Sequence, residues 1–85
     1  MGRSYRARPK KLGAKLKQIR LSLELTQEEM VKRLAVKDEP LYSASISQYE
    51  SGKREPPLLV LLRYAELYGC TMEDLVKDKV KLDRR

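Results

Sequence analysis

The chain has 85 residues, 41% of them hydrophobic and 36% charged, and a net charge of +7 at neutral pH. That is room for one domain with one modest core, and no apolar run approaches the ~20 residues a membrane helix needs. The charged N-terminus does not read as a signal peptide, one cysteine (Cys70) excludes an intramolecular disulfide, and the lack of histidine excludes a Cys/His zinc site. Such a composition suits a reducing cytoplasm.

The charge is unevenly placed. Arg3, Arg6, Arg8, Lys10, Lys11, Lys15, Lys17 and Arg20 bring +8 to the first twenty residues without one acid, which leaves −1 for the remainder. Cations gathered in this way attract phosphate or an anionic membrane, and they also serve as a plain solubilising tail. Residues 1–8 have no apolar periodicity and are expected to form a flexible basic arm. A folded domain over 9–78 and a charged tail over 79–85 follow.

Pro9 suits the first turn of a helix, and Leu12, Leu16, Ile19 and Leu23 then mark one helical face. Lys10, Lys11 and Lys15 fall near the start of that helix, where the macrodipole disfavours cations. Phosphate contact would account for them, and so would solubility. Thr26-x-x-Glu29 is a capping box that opens a second helix, with Met30, Val31 and Leu34 inward. Gln27 lies in its first turn beside free backbone N–H groups. There a side chain and amides together can hold a phosphate, although an ordinary solvated glutamine fits equally well.

Lys37–Tyr42 reads as a break, because Pro40 pushes Glu39 away from helical geometry. The third helix starts near Ser43, whose hydroxyl can cap it, or as early as Asp38 with Pro40 in the first turn. Tyr42, Ile46 and Tyr49 are expected to face the core, and Gly52 to end the helix in a left-handed residue. Pro56-Pro57 prepares a fourth helix, the most apolar, with Leu58, Leu59, Leu61, Leu62, Ala65 and Tyr68 at the centre of the core. Gly69 stops it, Cys70 reads as a small buried hydrophobe, and Thr71-x-x-Asp74 opens a short fifth helix. Lys77–Arg85 is too short to fold alone and reads as a frayed end, an edge strand or an apolar handle for a second subunit.

This inventory gives catalysis little to work with. The sequence has no histidine, no Gly-rich phosphate loop, no H-E-x-x-H and no nucleophile elbow, and its acids sit at helix ends where capping explains them. We therefore expect no enzyme, no cofactor, no metal and no small-molecule substrate. Helices two and three with a turn between them fit a helix-turn-helix, whose second member puts its N-terminal residues against base edges. Ser43, Ala44, Ser45, Ser47 and Gln48 would then be readers, since Gln can bond adenine bidentately, Ser bonds several bases and Ala packs on a thymine methyl. Lys53 and Arg54, just past the helix, would take phosphate, as would Arg6, Arg8, Lys10 and Lys11. A serine-rich face that is merely solvated is the plainer alternative.

Three stretches in order, L-T-Q-E-E-M, S-I-S-Q-Y-E-S-G-K-R-E-P-P and L-L-R-Y-A-E-L-Y-G-C-T-M-E-D-L, resemble the Cro/CI-type (Cro/repressor) helix-turn-helix family over about Leu12 to Val76. The resemblance implies an all-α, compact five-helix bundle of the lambda-repressor-like type that binds operator DNA, usually as a homodimer. It also implies a phosphate clamp at Gln27, base reading by Ser43, Ala44, Ser47 and Gln48, and phosphate contact by Ser45. Arg20 and Glu50 match a buried salt bridge that joins the first and third helices in some relatives, so Glu50 is expected to be structural. Lys37–Tyr42 departs from the pattern, because an ordinary connection is about 3–4 residues. Asp38 and Glu39 would be repelled by phosphate, so the longer turn should point away from DNA or touch a protein. The leading expectation is a DNA-binding repressor. Two other readings are an antitoxin-like protein that binds a toxin and autoregulates its operon, and a basic peripheral segment carried on a scaffold.

Overall fold

The computed structural model describes residues 9–37 and 40–82. Among them the chain forms five helices and no strand: α1 (Leu12–Ser22), α2 (Gln27–Leu34), α3 (Ser43–Ser51), α4 (Leu58–Tyr68) and α5 (Met72–Val76). The all-α, five-helix expectation holds, with α2 and α3 as the helix-turn-helix pair. No helix among the described residues is long and apolar enough to cross a membrane.

Local signals set most boundaries. At Thr26 both halves of the capping box form: Glu29 N–H donates to Thr26 Oγ1 at 3.1 Å, and Thr26 N–H donates to Glu29 Oε1 at 2.8 Å. Thr71 and Asp74 repeat the arrangement at 3.0 Å in both directions. Gly52 and Gly69 close α3 and α4 at φ 82° and 83°, the left-handed region where a side chain would be strained. Ala35 does the same for α2 at φ 44°, without glycine's freedom.

The core gathers one face of each helix: Leu16 and Ile19 from α1, Met30 and Leu34 from α2, Ile46 from α3, Val60 and Tyr64 from α4, and Leu75 from α5. α3 is held between α1 and α2. At its closest point Gly13 of α1 lies so near the α3 backbone that a Cβ there would stand 2.6 Å from the Glu50 carbonyl oxygen and 2.9 Å from that of Tyr49. The Tyr64 hydroxyl is buried without a hydrogen-bond partner, and burial pushes its pKa upward.

Several expectations are corrected. Pro9 precedes α1 by three positions and is not in its first turn. Tyr42 is 67% exposed, because it is the extended residue before α3 and the helical period does not reach back to it. α4 is apolar nearly all round, and it turns Val60 and Tyr64 inward while Leu58 and Leu59 stay 69% and 57% exposed and Leu62 38%. The choice of face was not available from its own period.

Helix ends are tied by side chains from far along the chain. Arg63 of α4 donates to the Leu34 and Arg33 carbonyls at 2.8 and 3.2 Å, capping α2 from outside. Lys15 is buried and donates to the carbonyls of Asp74 and Lys77 at 2.6 and 2.7 Å, at the end of α5. That intramolecular reward replaces phosphate contact or solubility as the reason for its place. Burial lowers its pKa, with Asp78 and Asp74 opposing the shift. The segment after α5 follows α1, with Leu82 packed against the core.

Candidate nucleic-acid interface

α3 has two unlike faces. Ile46 and Tyr49 point into the core, while Ala44, Ser47 and Ser51 are exposed and Ser43 and Gln48 partly so. No acid lies on its first turn. The open face is therefore small, polar and uncharged, and a base edge can approach it closely. The helix starts at Ser43, so that residue stands in the first turn and Tyr42 takes the cap position.

Not every candidate lies on this face. Ser45 is buried to 6% exposure, and its hydroxyl accepts the Tyr42 N–H at 3.2 Å, so the side chain ties down the start of α3. Gln48 stands at the other end of the face, where its Oε1 accepts from Arg54 Nη1 at 3.5 Å. Its carbonyl accepts the Lys53 and Arg54 N–H groups at 2.9 and 3.2 Å, a six-to-one closure past Gly52 that fixes where these exposed cations leave the helix. The Arg54 guanidinium lies over the Tyr49 ring, 5.8 Å from its centroid.

Arg20 and Glu50 lie together beneath the face. Arg20 Nε donates to Glu50 Oε2 at 2.6 Å and Nη2 to Oε1 at 3.1 Å, with the side chains 11% and 6% exposed. The third guanidinium group bonds the Leu25 carbonyl at 2.9 Å, so one side chain spans α1, α3 and the turn into α2. The bond to Glu50 leads the effects that raise the Arg20 pKa. Gln27, first residue of α2, donates to Glu50 Oε1 at 3.4 Å, which sets the glutamine beside α3. Glu50 thus faces inward on Arg20 and Gln27 and does not repel a phosphate from the surface.

The side chains of Lys10 and Lys11 are exposed at the start of α1. A small recess lined by Pro9, Leu12, Gly13, Tyr49, Gly52, Arg54 and Glu55 joins that start to the exit of α3. Arg6 and Arg8 lie outside the described residues, as do Asp38 and Glu39 of the long turn. Sequence reasoning passed over Gly13, Arg63 and Asp78. An isolated glycine inside a helical pattern is a weak packing signal, and the others had none. Among the described residues no cluster of Cys, Asp and Glu could hold a metal ion.

An all-α bundle with one polar, nearly uncharged helix face, a glutamine at its flank and cations at its exit belongs to the helix-turn-helix class of DNA-binding domains. A family model described as a helix-turn-helix domain matches residues 13–81, and the chain belongs to that family, of the Cro/CI type. Comparison with curated proteins and with solved structures finds no match. The family is one of DNA-binding domains rather than of enzymes.

Proposed function

We propose that this protein is a sequence-specific transcriptional regulator that lays α3 in the major groove of double-stranded DNA, acts in the cytoplasm, and works as a repressor. The observation that carries the reading is the division of α3. Ile46, Tyr49 and the Arg20–Glu50 pair lock one face, and the other offers Ser43, Ala44, Ser47 and Gln48. Repression requires only that the occupied site exclude other proteins. Gln27, Lys53, Arg54, Lys10 and Lys11, with Arg6 and Arg8 of the arm, supply phosphate contacts that fix the register of α3. Ser45 supports the helix from within and is left out of that set.

A homodimer would present two copies of α3 to half-sites about 34–36 Å apart. Leu58, Leu59 and Leu62 of α4 and Val76 of α5 offer exposed apolar surface for a protein partner. The same leucines support the second reading, an antitoxin-like regulator whose partner is a toxin. Co-purification from the native host separates the two, since a small basic or enzymatic partner held in fixed proportion favours the antitoxin-like reading and its absence the free-standing regulator.

Base reading is tested by Gln48→Ala. It should relax sequence choice at one position of each half-site, by about 1–3 kcal/mol of discrimination. Equal weakening on every sequence would remove Gln48 from the readers. Removing residues 1–8 should lower the salt dependence of binding by about 0.9 per lost phosphate contact and leave sequence preference intact. An unchanged slope would remove the arm from the interface.

A further inference from the structure

Lys11 precedes α1 without a capping side chain of its own, and the first turn of α1 has no acid. The cap comes from the far end of the chain. Asp78 Oδ1 accepts the Lys11 N–H at 2.9 Å and Oδ2 accepts the Lys10 N–H at 3.0 Å. Lys15, one turn into α1, sends its ammonium the other way to the carbonyls of Asp74 and Lys77 at 2.6 and 2.7 Å. The entry to α1 and the end of α5 with the two residues after it are therefore cross-tied, carboxylate onto amides and ammonium onto carbonyls. All four bonds carry charge on one partner, which strengthens them, and the two from Lys15 are short.

This clamp acts on the two residues whose exposed cations begin the basic surface. Their backbones are pinned, so the points from which the Lys10 and Lys11 side chains leave the domain are fixed. Pro9 just before these lysines and Leu12 and Gly13 just after line the recess that reaches Gly52 and Arg54 at the exit of α3, while Lys11 itself borders the groove formed with Asp78, Val80 and Leu82. We propose that Asp78 is a positioning residue for DNA binding, holding Lys10 and Lys11 at the spacing from α3 at which they meet phosphate. The proposal rests on the reading of these lysines as phosphate contacts.

Its sign sets it apart from ordinary electrostatics. Removing an acid from a basic protein raises its net charge, and by charge alone should tighten DNA binding. Loss of positioning should weaken it. Glu73→Gln is the charge-matched control, because the Glu73 carboxylate pairs with Lys77 on the surface of α5.

The experiment measures affinity of the full chain for a mixed-sequence duplex of about two helical turns, from about 50 to 200 mM salt. The proteins are the parent, Asp78→Asn, Glu73→Gln, the Lys10→Ala/Lys11→Ala pair and the triple variant, all held well below their melting temperatures. Glu73→Gln should bind as the parent or tighter. Asp78→Asn should bind more weakly, with a salt slope smaller by about 2, so that its deficit shrinks roughly tenfold across that salt range. Added to the lysine pair, Asp78→Asn should cost little more, since the groups it positions are already gone. Binding by Asp78→Asn as tight as by Glu73→Gln would overturn the proposal, and so would an equal loss with the lysines absent. If the lysine pair leaves the slope unchanged, the phosphate reading fails first and the positioning role falls with it.

Discussion

Gly13→Ala separates packing from propensity most sharply. At an ordinary helical site the change stabilises by about 1 kcal/mol, because alanine loses less backbone freedom. Here the new Cβ would lie 2.6 Å from Glu50 O, 2.9 Å from Tyr49 O and 3.1 Å from Glu50 C. Carbon contacts settle near ~3.5 Å, so α1 and α3 must part by several tenths of an ångström or more. The obstacles are backbone atoms, which places the cost near the upper end of the ~1–3 kcal/mol typical of overpacking. After the propensity gain, a net loss of about 2 kcal/mol remains, or roughly 8–16 °C in melting temperature for a domain of this size. Thermal and urea melts measure it directly. Ala14→Gly, at the exposed neighbouring position, should cost about 1 kcal/mol and calibrates propensity in the same helix. A melting temperature that rises with Gly13→Ala would refute the close approach of α1 to α3.

Glu50→Gln leaves the Arg20 charge buried against a neutral partner and should cost about 3–5 kcal/mol in urea unfolding, while Arg20→Met with Glu50→Leu should recover part of that loss. A loss below ~1 kcal/mol for the single change would mean that the pair behaves as a surface bridge. Tyr64→Phe removes an unpartnered buried hydroxyl and should leave the melting temperature unchanged or raise it; a fall of several degrees would reveal a bond the hydroxyl makes. On the acid side, the Lys11 and Lys10 N–H groups hold the Asp78 carboxyl below its ordinary 3.8, and Thr26 holds that of Glu29 below 4.5. A folded pKa that is depressed contributes stability present above the unfolded value and lost as pH falls through the folded one. Urea midpoints should therefore fall below about pH 4, and Asp78→Asn with Glu29→Gln should flatten that limb.

What the sequence made legible was local. Thr26-x-x-Glu29, Thr71-x-x-Asp74, Gly52 and Gly69 each act within a turn or two of where they stand, and each boundary fell where its residue indicated. Periodicity failed where it had nothing to contrast. α4 is leucine-rich on every side, so the inward turn of Val60 and Tyr64 depends on neighbours the helix does not encode. Tyr42 continued the rhythm of Ile46 and Tyr49, but the chain there is already extended, and a shared spacing carries no meaning outside a helix. Ala35 ends α2 in a left-handed conformation that its residue type does not announce.

The site was legible in outline for the same reason. The exposed residues of α3 and the cations after it follow from one short stretch. Arg20 and Glu50 are 30 positions apart, and only family resemblance paired them. Lys10 and Asp78 are 68 apart, and nothing in the residue order connects them. Gly13 needs the partner backbone in view before its missing side chain has a purpose.

The central claim is that α3 reads DNA sequence, and selection of bound duplexes from a random pool tests it most directly. The fold and face described above predict enrichment of a short consensus, arranged as two inverted half-sites about one helical turn apart, with Gln48→Ala degrading one position in each. Enrichment of no sequence, with retention that tracks salt alone, would contradict it and leave only a basic protein that holds DNA by its phosphates.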